Sequence, residues 1–155
     1  RINDCGIACV LMLFRHTLLS HNMLPMPAIT VDRMTLDTRQ LNQDIPLLPS
    51  DLNNLMTSYG MRGAIIAPYN YTIQRIKSEV DAGRPSIALV NRRILVPAEN
   101  VGAHYVIAYG YSDQSIIYHD PWKTTGESNA LIDMFDRALK NEGTLNAPYQ
   151  GVVLG

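Results

Sequence analysis

The chain has 155 residues, 46% of them apolar and 17% charged, and its 13 basic and 14 acidic residues leave a net charge of −1. A chain of this length buries about 68–70% of its unfolded surface, so residues 1–155 are read as one domain with a core that needs no disulfide scaffold, which two cysteines cannot build in any case. The charge balance argues against a nucleic-acid partner held by bulk positive charge, and the longest clean apolar run, Ile7 to Phe14, is too short to span a bilayer.

The sequence opens on Arg1, without an initiator methionine or a signal peptide, and reads as a fragment, a processed product or part of a longer chain. Its compartment, cytoplasmic or secreted, is not legible. Cys5 to Leu19 is predicted to be a helix with Asp4 at its N-cap and most sides buried. Residues 20–49 carry Pro25, Pro27, Pro46 and Pro49 and read as a long connection with one short helix near Met34 to Leu41. Ser50 is expected to cap a second helix, Asp51 to Tyr59, stopped by Gly60. Arg62 to Ile66 is a short strand. Thr72 is expected to cap a third helix, with Ile73, Ile76 and Val80 at helical spacing and Gly83 at its end. Three strands then follow, Ser86–Asn91, Ala103–Gly110 and Ser115–His119; Asp133–Asn141 reads as a helix and Gln150–Leu154 as a closing strand. Helices come first and strands later, without βαβ alternation, which predicts an α+β fold.

Residues 62–93 hold six basic side chains (Arg62, Arg75, Lys77, Arg84, Arg92, Arg93) against Glu79 and Asp81. This is read as a solvated helix face plus a basic loop, with an anionic-partner site as the alternative.

Cys5 begins a predicted helix, where unpaired N–H groups and the macrodipole favour an anion and hence a nucleophilic thiolate. Gly6 after it leaves room for a substrate backbone. The competing reading is a small apolar core residue. Cys9, one turn on, is poorly placed for a disulfide with Cys5, lacks a nearby His for a common zinc pattern, and is read as core.

A cysteine nucleophile needs a base. His16 lies roughly 16 Å down the helix axis from Cys5, out of reach. His104 and His119 lie on the two strands joined by the turn-forming loop Tyr111-Ser112-Asp113-Gln114. If Gly110 faces Ser115, a one-residue adjustment in the loop sets His104 beside Asp120 on one face and turns His119 to the other. An Asp beside a His fixes the tautomer and stabilises the imidazolium, though a structural His–Asp pair has the same spacing. Trp122, just after Asp120, either shields this pair or fills core, the second being favoured. Asn70-Tyr71-Thr72 matches a glycosylation sequon, a pattern that arises often by chance.

Three boxes now stand in order along the chain. Asn3-Asp4-Cys5-Gly6-Ile7-Ala8-Cys9 resembles the cysteine box of the bacteriocin-processing (double-glycine) peptidases, family thirty-nine of the cysteine peptidases, in the papain-like clan. His104-Tyr105-Val106-Ile107 followed by Gly110-Tyr111 resembles that family's histidine strand, and Ile116-Ile117-Tyr118-His119-Asp120-Pro121 its Asp-Pro box. Residues 20–85 add little to the likeness.

The resemblance implies a papain-like α+β fold, with N-terminal helices packed on a mostly antiparallel sheet and the nucleophile at a helix start. It implies Cys5 as nucleophile, His104 as general base and acid, and Asp120 as the orienting carboxylate, acting on a peptide or protein without metal or cofactor. The family's oxyanion-hole Gln stands six residues before the Cys, whereas this sequence opens four residues before Cys5. The 99-residue spacing from Cys5 to His104 and the Pro-rich stretch favour a stand-alone or effector-type relative, a bacterial toxin domain among the possibilities, over an exporter-fused leader peptidase. Two other readings stand beside the peptidase: a papain-like glutamine deamidase or transamidase, and an inactive module that binds a peptide or partner through the basic 62–93 stretch.

Overall fold

The computed structural model describes residues 4–21, 29–37, 47–66, 69–123, 126–142 and 148–155. In chain order they form α1 (Cys5–Ser20), α2 (Val31–Asp37), α3 (Pro49–Ser58), β1 (Gly63–Ile66), α4 (Ile73–Asp81), β2 (Ser86–Asn91), α5 (Arg92–Leu95), β3 (Ala103–Tyr111), β4 (Ser115–His119), β5 (Ser128–Leu131), α6 (Ile132–Lys140) and β6 (Gly151–Leu154). The expected α+β class is observed. The strands make one sheet in the order β1-β6-β2-β3-β4-β5, and every neighbouring pair is antiparallel.

Alternation along the central strands builds two cores. Ile87 and Leu89 of β2, Tyr105 and Ile107 of β3 and Val152 of β6 join the apolar side chains of α1, α2 and α3. Ala88, Val90, Val106, Ala108 and Val153 face the other way, toward Ile76 of α4 and Phe135 and Leu139 of α6. Helices therefore cover both faces. This is why β2 reads as an unbroken apolar run rather than an alternating one.

Local chemistry explains most helix boundaries. The Thr72 hydroxyl accepts the Arg75 N–H, capping α4 as expected. This engages the Thr of the sequon, whose Tyr71 is buried. Gly60 and Gly83 both have positive φ, 76° and 74°. Each follows a helix end in which the next two N–H groups fold back onto the last carbonyls: Gly60 to Thr57 and Met61 to Met56, Gly83 to Val80 and Arg84 to Glu79.

Several expectations need correction. Asp4 holds the N-cap of α1 through its carbonyl, which accepts the Ala8 N–H at 2.9 Å, and makes no side-chain capping bond. Ser50 does not cap α3 but lies inside it. Pro49 takes the first position, where a missing N–H costs nothing, and the Asp51 carboxylate accepts the Leu48 N–H at 2.8 Å. The short helix in the Pro-rich stretch is α2, three residues earlier than predicted, with Met34 buried in the first core. Residues 38–46, and with them the predicted end of that helix, lie outside the described residues, as do Pro25, Pro27 and Pro46. α5 and β5 were not expected. Four residues of Arg-Arg-Ile-Leu carry no helical period, and the Ser-Asn-Ala-Leu of β5 is a short edge strand with only Ser128 and Ala130 buried.

Candidate active site

Cys5 is the first residue of α1 and is 8% exposed. Gly6 permits the helix to dock there. A Cβ on Gly6 would stand 2.7 Å from Leu52 of α3 and 3.2 Å from the Tyr105 ring of β3. The missing side chain is thus occupied by packing, not kept open for a substrate, which corrects the sequence-based reading. The close approach sets the start of α1 beside the start of β3, where His104 is the second residue.

The buried His104 imidazole donates from Nε2 to Asp120 Oδ1 at 2.8 Å. Its other nitrogen, Nδ1, is buried without a hydrogen-bond partner among the described residues. Burial depresses the proton affinity of the imidazole, but bonding to Asp120 and the neighbouring Cys5 side chain outweigh it, and the net direction is up. Because Nε2 is taken by Asp120, Nδ1 is the nitrogen left for a further partner, and the Cys5 side chain is close enough to the ring to influence its charge.

The His–Asp pairing arises from a bulge. Ile107 pairs with His119 and Ala108 with Tyr118, but Gly110 pairs with Ile117, so one extra residue enters β3 between Ala108 and Gly110. The expected Gly110–Ser115 pairing is not formed, since Gly110 faces Ile117; the bulge in β3 then shifts the register by one, so that His104 and Asp120 share a face as diagonal neighbours rather than side by side. Asp120 then lies just past the end of β4, free of the ladder, and turns its carboxylate to His104. His119 stacks on Tyr109 with centroids 4.6 Å apart, and Gly126 O lies 3.2 Å from its Nδ1. His16 engages Ser20 on its own helix.

Asp120 is buried and gathers three donors. Oδ1 also accepts the Trp122 N–H at 3.0 Å, and Oδ2 accepts Arg92 Nε at 2.8 Å. Burial alone would raise its pKa, yet these bonds hold the carboxyl down at about 2. The Trp122 ring tilts against His104, centroids 4.5 Å apart, while also packing on the first core, so it shields the pair as well as filling space.

Arg92 was missed as part of this cluster. Its setting in a basic, unpatterned run suggested solvent exposure, whereas the structure buries it to 2% exposure. Nothing in its sequence neighbourhood marks it; only the distant carboxylate does. The rest of the basic stretch is also partly neutralised, because Arg75 and Arg84 both bind the buried Glu79, at 3.0 and 2.7 Å. The reading of residues 62–93 as an anionic-partner surface loses three of its six cations.

Cys9 is fully buried, as expected, and burial, helped by Cys5 and Asp120, pushes its thiol well above the usual range. Both cysteines are free thiols. Among the described residues, no group of three His, Cys, Asp or Glu side chains is placed to hold a metal ion, and no helix is long and apolar enough to cross a membrane.

No curated protein sequence matches the chain. Among solved structures, it is similar to one described as a candidate C39-like peptidase from Bacillus anthracis. The TM-score is 0.69 at 14% identity, over 99% of this chain and 88% of the other, a likeness that establishes the fold. The model of the Peptidase_C39 like family matches residues 2–142, which span the Cys5, His104 and Asp120 boxes. The chain belongs to the Peptidase_C39 like family.

Proposed function

We propose that the protein is a thiol-dependent amide hydrolase, a cysteine peptidase acting on a peptide or protein, with Cys5 as nucleophile, His104 as general base and acid, and Asp120 as the carboxylate that orients the imidazole. The observation that carries this reading is the asymmetry of the His104 ring. Nε2 is tied to a buried carboxylate, while Nδ1 is buried without a hydrogen-bond partner among the described residues and the Cys5 side chain neighbours the ring.

The steps follow from that asymmetry. Nδ1 takes the Cys5 proton as the sulfur attacks the amide carbon, and Asp120 stabilises the resulting imidazolium. The oxyanion lies toward the start of α1, where the Cys5 N–H and the helix dipole favour negative charge. The imidazolium then protonates the leaving amine as the C–N bond breaks, leaving a thioester. A water deprotonated by His104 attacks that thioester, and Cys5 regains its proton as the acid leaves. No step requires a metal or cofactor.

The test is Cys5→Ala with a general peptide library, read by mass spectrometry. The wild type is expected to cleave backbone amides and the variant, equally folded by circular dichroism, to cleave none. Turnover retained in the variant discards Cys5 as nucleophile. Conversion of glutamine side chains without chain cleavage replaces the peptidase by a deamidase using the same three residues.

A further inference from the structure

An arginine taken out of water is costly unless its charge and donors are matched. Arg92 has partners on three sides, with its Nη1 met in charge but not in hydrogen bonding among the described residues. Its Nε donates to Asp120 Oδ2 at 2.8 Å, its Nη1 pairs in charge with Glu99, and its Cζ lies 5.1 Å from the Trp122 ring centroid. Two of these three partners are also the immediate neighbours of His104: Asp120 by hydrogen bond and Trp122 by ring contact.

The geometry divides the Asp120 carboxylate cleanly. Oδ1 serves His104 and the Trp122 N–H, while Oδ2 serves Arg92. A carboxylate held on one oxygen still swings about its Cβ–Cγ bond; held on both, it does not. The backbone fixes the guanidinium in turn. The Arg92 N–H donates to Gly102 O at 2.8 Å, and the Asn91 side chain caps α5 by accepting the Arg93 N–H at 3.1 Å. Glu99, on the segment between α5 and β3, is 46% exposed and closes the far side.

We propose that Arg92 is a positioning residue for His104, acting through Asp120 and Trp122, and that Glu99 keeps its guanidinium in register. The role rests on the Cys5–His104–Asp120 reading above and extends the site to α5 and the segment that follows it. Lysine does not substitute for it, because an ammonium has neither an Nε–H set back along the side chain nor a planar face for Trp122.

The test uses Arg92→Gln, Arg92→Lys and Glu99→Gln in the full chain at one neutral pH, well below each variant's melting midpoint. Two signals are read: the far-downfield proton resonance of the carboxylate-bound His104 Nε2–H, and the rate of Cys5 alkylation by iodoacetamide. Arg92→Gln is expected to lose or shift the resonance and to slow alkylation about tenfold, less than the roughly hundredfold or more that a positioned acid–base group contributes directly, because Arg92 acts only through Asp120. Arg92→Lys should not restore either signal, and Glu99→Gln should move both the same way by less. A folded Arg92→Gln variant with both signals unchanged, even with a lowered melting midpoint, reduces Arg92 to a structural ion pair and overturns the proposal. Should Arg92→Gln not fold, unchanged signals in the surface variant Glu99→Gln overturn it instead. If His104→Ala leaves Cys5 alkylation untouched, the triad reading alone falls, and the Nε2 resonance still decides whether Arg92 holds Asp120.

Discussion

Asp120→Asn is the most informative single perturbation, because it keeps the shape and removes the charge on which His104 and Arg92 both depend. The Asp120 carboxyl is held from its ordinary 3.8 down to about 2. That difference is worth about 2 kcal/mol of folding stability, present above the unfolded value and lost as pH falls through the folded one. His104 has the opposite sign. Its folded pKa is raised above the ordinary 6.5, so its share is complete below 6.5 and disappears as pH climbs through the folded value. The variant forfeits both, since the bond to Asp120 is the main influence raising His104. The stability gap between wild type and Asp120→Asn is therefore widest between roughly pH 4 and 6.5 and narrows on either side. Urea unfolding at half-unit pH intervals from 2.5 to 9 measures it. A gap that stays flat across that range refutes the coupling of Asp120 to His104, whatever its size.

Two further outcomes are expected. Iodoacetamide at neutral pH should add one adduct to the native protein, at Cys5, and two in urea, because Cys9 is sealed in the core with its thiol pushed up by burial; peptide mapping that finds Cys9 modified in the folded protein contradicts that packing. Gly6→Ala should cost about 1–3 kcal/mol in urea unfolding, as expected for an overpacked contact, since the new methyl meets Leu52 at 2.7 Å and the Tyr105 ring at 3.2 Å; a neutral effect shows that Leu52 yields freely.

Much of the framework is legible because its signals are local. Thr72 and Gly83 bracket α4 by capping chemistry that involves only neighbouring atoms. β4 emerges at Ser115–His119 because a turn-rich loop and apolar residues mark its ends within a few positions. Hairpin arithmetic reaches the shared face of His104 and Asp120 but not the register that realises it, because Gly110 faces Ile117 instead of the assumed Ser115 and a bulge in β3 supplies the remaining shift. Ser50 misleads because a good capping residue next to a proline loses that position to the proline's own preference. Gly6 misleads because a glycine beside a nucleophile serves substrate access and helix docking equally well in one dimension.

By itself, the sequence determined the helix that begins at Cys5, the α+β class, and the three short boxes whose residues line the candidate site. These depend on spacing within one element or one hairpin, where chain geometry leaves few alternatives. Only the tertiary structure decided that β6 enters the sheet between β1 and β2, that helices cover both faces, and that Arg92 is buried against a carboxylate 28 positions away. Burial and ion pairing are properties of what surrounds a side chain after folding, and for Arg92 that surrounding comes from segments with no sequence relation to its own.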